Sequence, residues 1–534
     1  VPWVEANGAS LRYALSGRGS ETLVLIHEAG GCVESWDAVT TLLAQRYRVL
    51  RYDQRGFGLS ERARVLDIVT MVEDLFALLN AVLEPGARVH LIGTAIGGTI
   101  AVSMAAQHPE CVASVTATSP VTGLLPAAAA ALEARALLVE REGMRSIADA
   151  ALSRSYPESL RGSDDRFQRY RARFLGNDPH SFAALSRSYA SVDLTQLYGQ
   201  VRCPALIIGC SHDAIKPAAE CAVAAAAIAQ GQYVELNSGH FVAVQSPEVL
   251  VRQVESFIPM TPSAVPPSVI TRADANCIEA NGVSLRYALS GHGQRVLVLV
   301  HEMGGNIEGW DDVVPMLEAE FRVLRYDQRG FGLSEKASTL SLADMTEDLR
   351  ALVQALAIDE PVYLAGAALG ASICLSYALA HPAAVAGLLL SSPATGGSAP
   401  EGRARMESWL QQVAATGVRA ITDAMFAVTY PDALRENRQR FDQHRLRWLS
   451  ADPESFIALN HMMMGFNLLP DLHRIGAPTR VVGCRYDSIR TPARSQQIAA
   501  LMPAASYAEV ESGHYLPIQS PALFVAELRK AFAT

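Results

Sequence analysis

The sequence predicts an α/β protein of two tandem domains. Each is read as a mostly parallel sheet flanked by helices and interrupted by a helical lid. Three observations carry this. The chain has 534 residues, too many for one core. Its halves repeat each other. Within each half, short continuous apolar runs alternate with helical patterns, as strands buried on both faces do.

The repeat is close. Ala6-Asn7-Gly8-Ala9-Ser10-Leu11-Arg12-Tyr13 returns as Ala280-Asn281-Gly282-Val283-Ser284-Leu285-Arg286-Tyr287. Arg51 to Glu61 returns unchanged as Arg325 to Glu335. One offset, 274 residues, relates His27 to His301 and His240 to His514, so a whole domain is duplicated with few insertions. Domains are expected at 1–258 and 277–534. Residues 259–276 read as an extended tether, because Pro259, Pro262, Pro266 and Pro267 exclude a helix or central strand.

In the first copy, Thr22 to Ile26 and Arg48 to Tyr52 read as strands. Asp67 to Leu83 has helical spacing in Ile68, Met71, Val72, Leu75, Leu78, Leu79 and Val82. Val89 onward is a strand, a turn and a small-residue helix, and Val112 to Thr118 is another strand. Residues 121–197 carry no strand signal and are read as a helical lid, matched by 395–472. Pro204 to Cys210 and Tyr233 to Leu236 complete the sheet, and Pro247 to Ile258 closes the copy with a helix. Parallel sheets of this kind place their sites at the carboxyl ends of the strands.

Composition narrows the function. A net charge of -9 argues against a nucleic-acid surface. Eight scattered cysteines without a CxxC pair read as reduced core residues of a cytoplasmic protein. No run is long and apolar enough to span a bilayer, and no signal-peptide pattern opens the sequence. No metal-ligand cluster or nucleotide fingerprint is visible, so no metal and no cofactor are expected. The expected partner is a small-molecule substrate, not nucleic acid or membrane.

The chemistry concentrates at four places in each copy. His90-Leu91-Ile92-Gly93-Thr94-Ala95-Ile96-Gly97 is a strand running into a sharp turn, repeated around Ala368. Asp213 and Asp487 follow buried strands, where a carboxylate can orient a histidine, although Asp is also common as a turn residue or helix cap. His240 and His514 follow the last strand in Ser-Gly-His. His27-Glu28-Ala29-Gly30-Gly31 and His301-Glu302-Met303-Gly304-Gly305 end an early strand, and such glycines serve a tight turn in any case.

Together with Tyr-Asp-Gln-Arg-Gly-x-Gly-x-Ser, these motifs resemble the α/β-hydrolase superfamily across both copies. The pattern is similar to that of small bacterial enol-lactone hydrolases, meta-cleavage C–C hydrolases and aminoacrylate hydrolases. The resemblance implies two tandem α/β-hydrolase domains. It makes Asp213/His240 and Asp487/His514 the acid and base of a triad. It makes the backbone N–H groups of Ala29 and Ile96, and of Met303 and Leu369, the oxyanion donors.

Two departures stand out. The position of the nucleophilic serine is alanine twice, Ala95 and Ala368. Glu28 and Glu302 stand where family members more often carry glycine. Such a carboxylate reads either as an outward structural acceptor or as a substrate contact.

Several readings of the alanine elbow stay open. In one, the His/Asp pair directs water onto an activated ester, lactone, carbamate or C–C bond, as the resemblance to aminoacrylate hydrolases with an alanine elbow suggests. In another, alanine replaces the serine of a covalent hydrolase. In a third, the pair moves protons for a cofactor-independent dioxygenase or lyase. A non-catalytic ligand-binding protein is the fourth.

The lids differ most between copies and are expected to give the two sites unequal specificities. Arg154 and Arg187 could grip a substrate carboxylate, or form a solvated helix face. His461 occupies the position of Arg187 in the second lid. A covalent pseudo-dimer with intramolecular domain pairing is the expected reason for the duplication, with the oligomeric state open.

Overall fold

Each half of the chain wraps its helices around an eight-stranded mixed sheet. The structure, a computed structural model, describes residues 2–123, 126–162, 165–189, 194–258, 275–396 and 400–533. The proposed tether lies outside the described residues over 259–274. The chain divides into two units, Val1–Arg272 and Ala273–Thr534.

The first unit contains β1 (Trp3–Ala6), β2 (Ala9–Ser16), β3 (Thr22–Ile26), β4 (Arg48–Tyr52), β5 (Val89–Thr94), β6 (Val112–Thr118), β7 (Ala205–Cys210) and β8 (Gly231–Leu236). Their spatial order is β1-β2-β4-β3-β5-β6-β7-β8. Only β2 runs against its neighbours; β4, β3 and β5 to β8 are parallel. The second unit repeats this order with β9 (Asn276–Ala280), β10 (Val283–Ser290), β11 (Arg295–Val300), β12 (Phe321–Tyr326), β13 (Val362–Ala367), β14 (Val385–Ser391), β15 (Thr479–Cys484) and β16 (Ala505–Val510).

The central strands are buried end to end. Every residue of β3, β5 and β7 is buried, because helices cover both faces. Two apolar layers result. Leu91, Val115 and Ile207 join one with Leu75 and Leu78 of helix Ile68–Val82, while Leu23, Leu25 and Ile92 join the other with Leu250 and Val254 of helix Pro247–Phe257. Asp67 starts its helix by accepting the Thr70 N–H at 2.7 Å.

Residues 3–16, given no element from sequence, form the β1–β2 hairpin. Asn7 and Gly8 both have positive φ, +47° and +72°, as a two-residue hairpin turn of this twist requires.

Between β6 and β7, and between β14 and β15, the described residues form helices and short turns and no strand. This insertion is pinned to the loops at the carboxyl edge of the sheet. Asn177 donates to the Gly30 carbonyl at 2.9 Å, Ser181 to the Ala63 carbonyl at 3.0 Å, and Gln245 to the Ser155 carbonyl at 2.9 Å. Gln519 repeats the last of these at Thr429. Among the described residues no helix is long and apolar enough to cross a membrane.

Candidate active site

The turn after β5 has the shape its glycines require. Ala95 sits at φ +52°, ψ −115°, and Ala368 at φ +48°, ψ −107°, a region that L-residues rarely adopt. A Cβ on Gly93 would stand 2.1 Å from the Gly97 carbonyl oxygen, and one on Gly97 would stand 2.1 Å from that of Ile26. Glycine at both places lets helix Ile96–Gln107 close onto the end of β3. The second unit repeats both contacts, at Gly370 and Val300.

This closure brings the elbow beside the loop that starts at His27. Ile96 opens its helix, so its N–H has no intrahelical acceptor. Ala29 lies in the turn, where the Gly31 N–H bonds to the Glu28 carbonyl at 3.0 Å. Among the described residues neither N–H has an acceptor, and the same holds for Met303 and Leu369.

The loop is held from behind. The His27 ring donates from Nδ1 to the Glu28 carbonyl at 2.7 Å and accepts the Gln54 N–H at Nε2 at 3.0 Å. Burial holds that imidazole below its ordinary pKa, against the charges of Glu28 and Asp53. Asp53 accepts the N–H groups of Val33 and Leu59 at 2.6 and 2.7 Å. Cys32, Glu34 and Asp53 bring three potential ligand atoms within 4.8 Å of one another, yet the Arg12 guanidinium already bridges both carboxylates at 2.5 and 2.6 Å.

Asp213 and His240 meet from β7 and β8. His240 Nδ1 lies 2.7 Å from Asp213 Oδ2, and Asp213 Oδ1 accepts the N–H groups of Ile215 and Lys216 at 2.8 and 2.9 Å. In the second unit His514 lies 2.8 Å from Asp487, whose other oxygen takes Ile489 and Arg490. Burial alone would raise both carboxyl groups. The histidine and the backbone N–H bonds outweigh it, so both are held below their ordinary value.

Glu28 and Glu302 do not face outward. Both are fully buried beneath their own turn. Glu28 accepts the Ser35 hydroxyl at 2.9 Å, and its carboxylate packs where a Gly31 Cβ would be, 2.5 Å away. A short acceptor beneath a glycine turn is indistinguishable in sequence from one pointing into a pocket.

The arginines and histidine assigned to substrate have other partners. Arg187 is held by Glu133 and Glu140 at 3.0 and 2.6 Å, within the helical insertion. Arg154 is exposed and donates to the Ala214 carbonyl at 3.3 Å. His461 is exposed, 3.9 Å from Glu407. Arg187 is thus engaged within the insertion, while Arg154 and His461 stand exposed.

Residues of the insertion approach the site, among them Tyr170 and His444, which carry no mark in the sequence. The Tyr170 ring lies 5.0 Å from Phe241, beside His240, and burial together with the Glu28 charge raises its phenol well above the ordinary pKa. In the second unit these positions are His444 and Tyr515, with rings 4.7 Å apart. His444 is kept neutral by burial and by Arg447, which donates to its Nδ1 at 3.2 Å. Phe174 and Trp448 pack against Gly30 and Gly304. Nothing but the 274-residue offset marks Tyr170 and His444, since ring residues in helices usually signal core; Phe174 and Trp448 read in sequence as either pocket lining or packing of the insertion.

Residues 23–253 match the family model described as "Alpha/beta hydrolase family", and residues 291–511 match "Serine aminopeptidase, S33". The chain belongs to the α/β-hydrolase superfamily, with two tandem domains of that fold. Curated relatives of this α/β hydrolase include "Pyrrolizixenacetamide deacetylase" of Xenorhabdus hominickii, 26% identical over 48% of this chain and 97% of the relative. Another is "Putative carbamate hydrolase RutD" of Pantoea ananatis, 28% identical over 43% of this chain and 85% of the relative. A solved enol-lactonase from Burkholderia xenovorans LB400 is 27% identical, covering 48% of this chain and 99% of that one, with a TM-score of 0.46. The family assignment makes this a hydrolase-family chain.

Proposed function

We propose that each unit hydrolyses a small activated ester, lactone or carbamate-like substrate by direct attack of water. The observation that carries this reading is the pairing of two facts in both units. The His–Asp pair is intact, at 2.7 and 2.8 Å, and the strained elbow carries alanine.

Alanine has no atom that can attack, so no covalent acyl intermediate forms at the elbow. His240 and His514 act as general bases on water from Nε2, while Asp213 and Asp487 fix the tautomer by accepting from Nδ1. The N–H groups of Ala29 and Ile96, and of Met303 and Leu369, hold the oxygen that gains charge. The helical insertion is the lid over this edge. Without a covalent step, stable esters are poor substrates. Activated ones, such as an enol-lactone or an aryl carbamate with a good leaving group, fit better, and a carbamate is what the RutD relative's name specifies.

The test is the full chain against 4-nitrophenyl acetate, an enol-lactone and an aryl carbamate, beside the His240→Ala/His514→Ala double variant. Turnover that falls at least ~100-fold in the variant supports the reading. Equal turnover in both, or binding without turnover, contradicts it.

A further inference from the structure

The loop behind the catalytic aspartate differs between the units in one respect. In the first, the backbone N–H of Lys216 holds Asp213, and its buried ammonium has an internal carboxylate partner. Lys216 Nζ donates to Thr122 at 2.7 Å and to Glu220 at 2.6 Å. Thr122 lies just beyond β6, at the root of the lid.

All three positions change in the second unit. Lys216 becomes Arg490, Glu220 becomes Arg494 and Thr122 becomes Gly396. Gly396 cannot regain a side chain, because its φ is +82° and a Cβ would stand 1.9 Å from the Phe466 carbonyl oxygen. Arg490 keeps the backbone duty, holding Asp487 at 2.8 Å. Among the described residues its half-buried guanidinium makes no hydrogen bond and no ion pair. Arg494, also half-buried, reaches only Gln497, at 3.4 Å.

We infer that Arg490 and Arg494 form an anion site beside the Asp487–His514 pair, and that it takes the carboxylate of the second unit's substrate. The first unit has no such site, because Glu220 occupies the cation there. The inference rests on the hydrolytic reading only for calling the ligand a substrate.

The physical ground is a pair of half-buried cations whose nearby carboxylate, Asp487, already holds His514 and two backbone N–H groups. A cation withdrawn from water and set near a second cation is unfavourable unless an anion joins them. Burial draws the Arg490 guanidinium below its ordinary value; Asp487 opposes this and Arg494 adds to it. The planar guanidinium offers parallel donors that match the two oxygens of a carboxylate. An exchange of Glu for Arg at one helix turn's distance turns an internal ion pair into a receptor for an external one.

Calorimetric titration of the full chain with glutarate tests this without relying on turnover. One glutarate per chain is expected. Arg490→Gln should weaken binding at least tenfold. Arg494→Glu restores the first unit's residue and gives Arg490 an internal partner, so it too should abolish binding without harming the fold. His240→Ala should leave the stoichiometry at one. No binding, two sites per chain, or binding that survives Arg494→Glu overturns the inference. Binding without hydrolysis of any substrate contradicts the catalytic reading and leaves the anion site standing.

Discussion

Asp213 holds His240 with one carboxylate oxygen, at 2.7 Å, and keeps the other for two backbone N–H groups. The acid is thus anchored to its own loop independently of the histidine. That anchorage resists rotation when His240 changes charge, and the histidine meets it through Nδ1. Nε2 is left as the basic nitrogen.

Replacing the acid should therefore leave the loop in place and remove the tautomer control. Asp213→Asn with Asp487→Asn presents an amide N–H₂ or a carbonyl to Nδ1 without a charge. A fall of about 10³–10⁴-fold in kcat is expected, with little change in KM. Steady-state kinetics on the full chain decide it. A loss below tenfold would show that the carboxylates do not govern the base.

The same carboxylates set an acid limit on stability. Their folded values lie below the ordinary ones, so their contribution is complete above the ordinary carboxylate range. It is lost as pH falls through the lowered folded values. Urea denaturation at pH 7 should separate Asp213→Asn from the parent chain, and the gap should close toward pH 3.

His27, His301 and His444 act over a higher window. Burial holds all three below the ordinary imidazole value, so the unfolded chain binds more protons than the folded one. Stability should fall as pH drops below about 6.5. Urea midpoints at pH 7.5, 6.5 and 5.5 should decline in that order. A flat or rising series would contradict the neutral, buried rings.

The elbow stores backbone strain that alanine feels and glycine does not. Ala95→Gly should raise stability by about 1 kcal/mol, since φ +52° suits glycine. Gly97→Ala should lower it by roughly 2–3 kcal/mol, because the new Cβ meets the Ile26 carbonyl. Urea denaturation of both variants gives the signs.

The fold was legible because apolar runs and turn glycines speak locally. Thr22–Ile26 and Arg48–Tyr52 were readable residue for residue. The hairpin at Asn7-Gly8 carries its own two-residue turn signal, with positive φ at both residues. Asp213, His240 and Ala95 were visible because each ends a strand in a short motif. The insertion was legible as a helical region and not as a set of contacts. Arg187 offered the charge a substrate would want, and only the packing of two insertion helices reveals that Glu133 and Glu140 take it. The Arg490–Arg494 pair needed both units side by side, since neither arginine is unusual alone.

The most direct test of water attack compares the chain with its Ala95→Ser/Ala368→Ser variant under rapid mixing, with intact-mass measurement of quenched samples. On an activated substrate the parent chain should turn over with no burst and no mass adduct, and serine should add little to the steady rate. A parent chain that is silent while the serine variant shows a burst and a covalent acyl adduct would contradict the account.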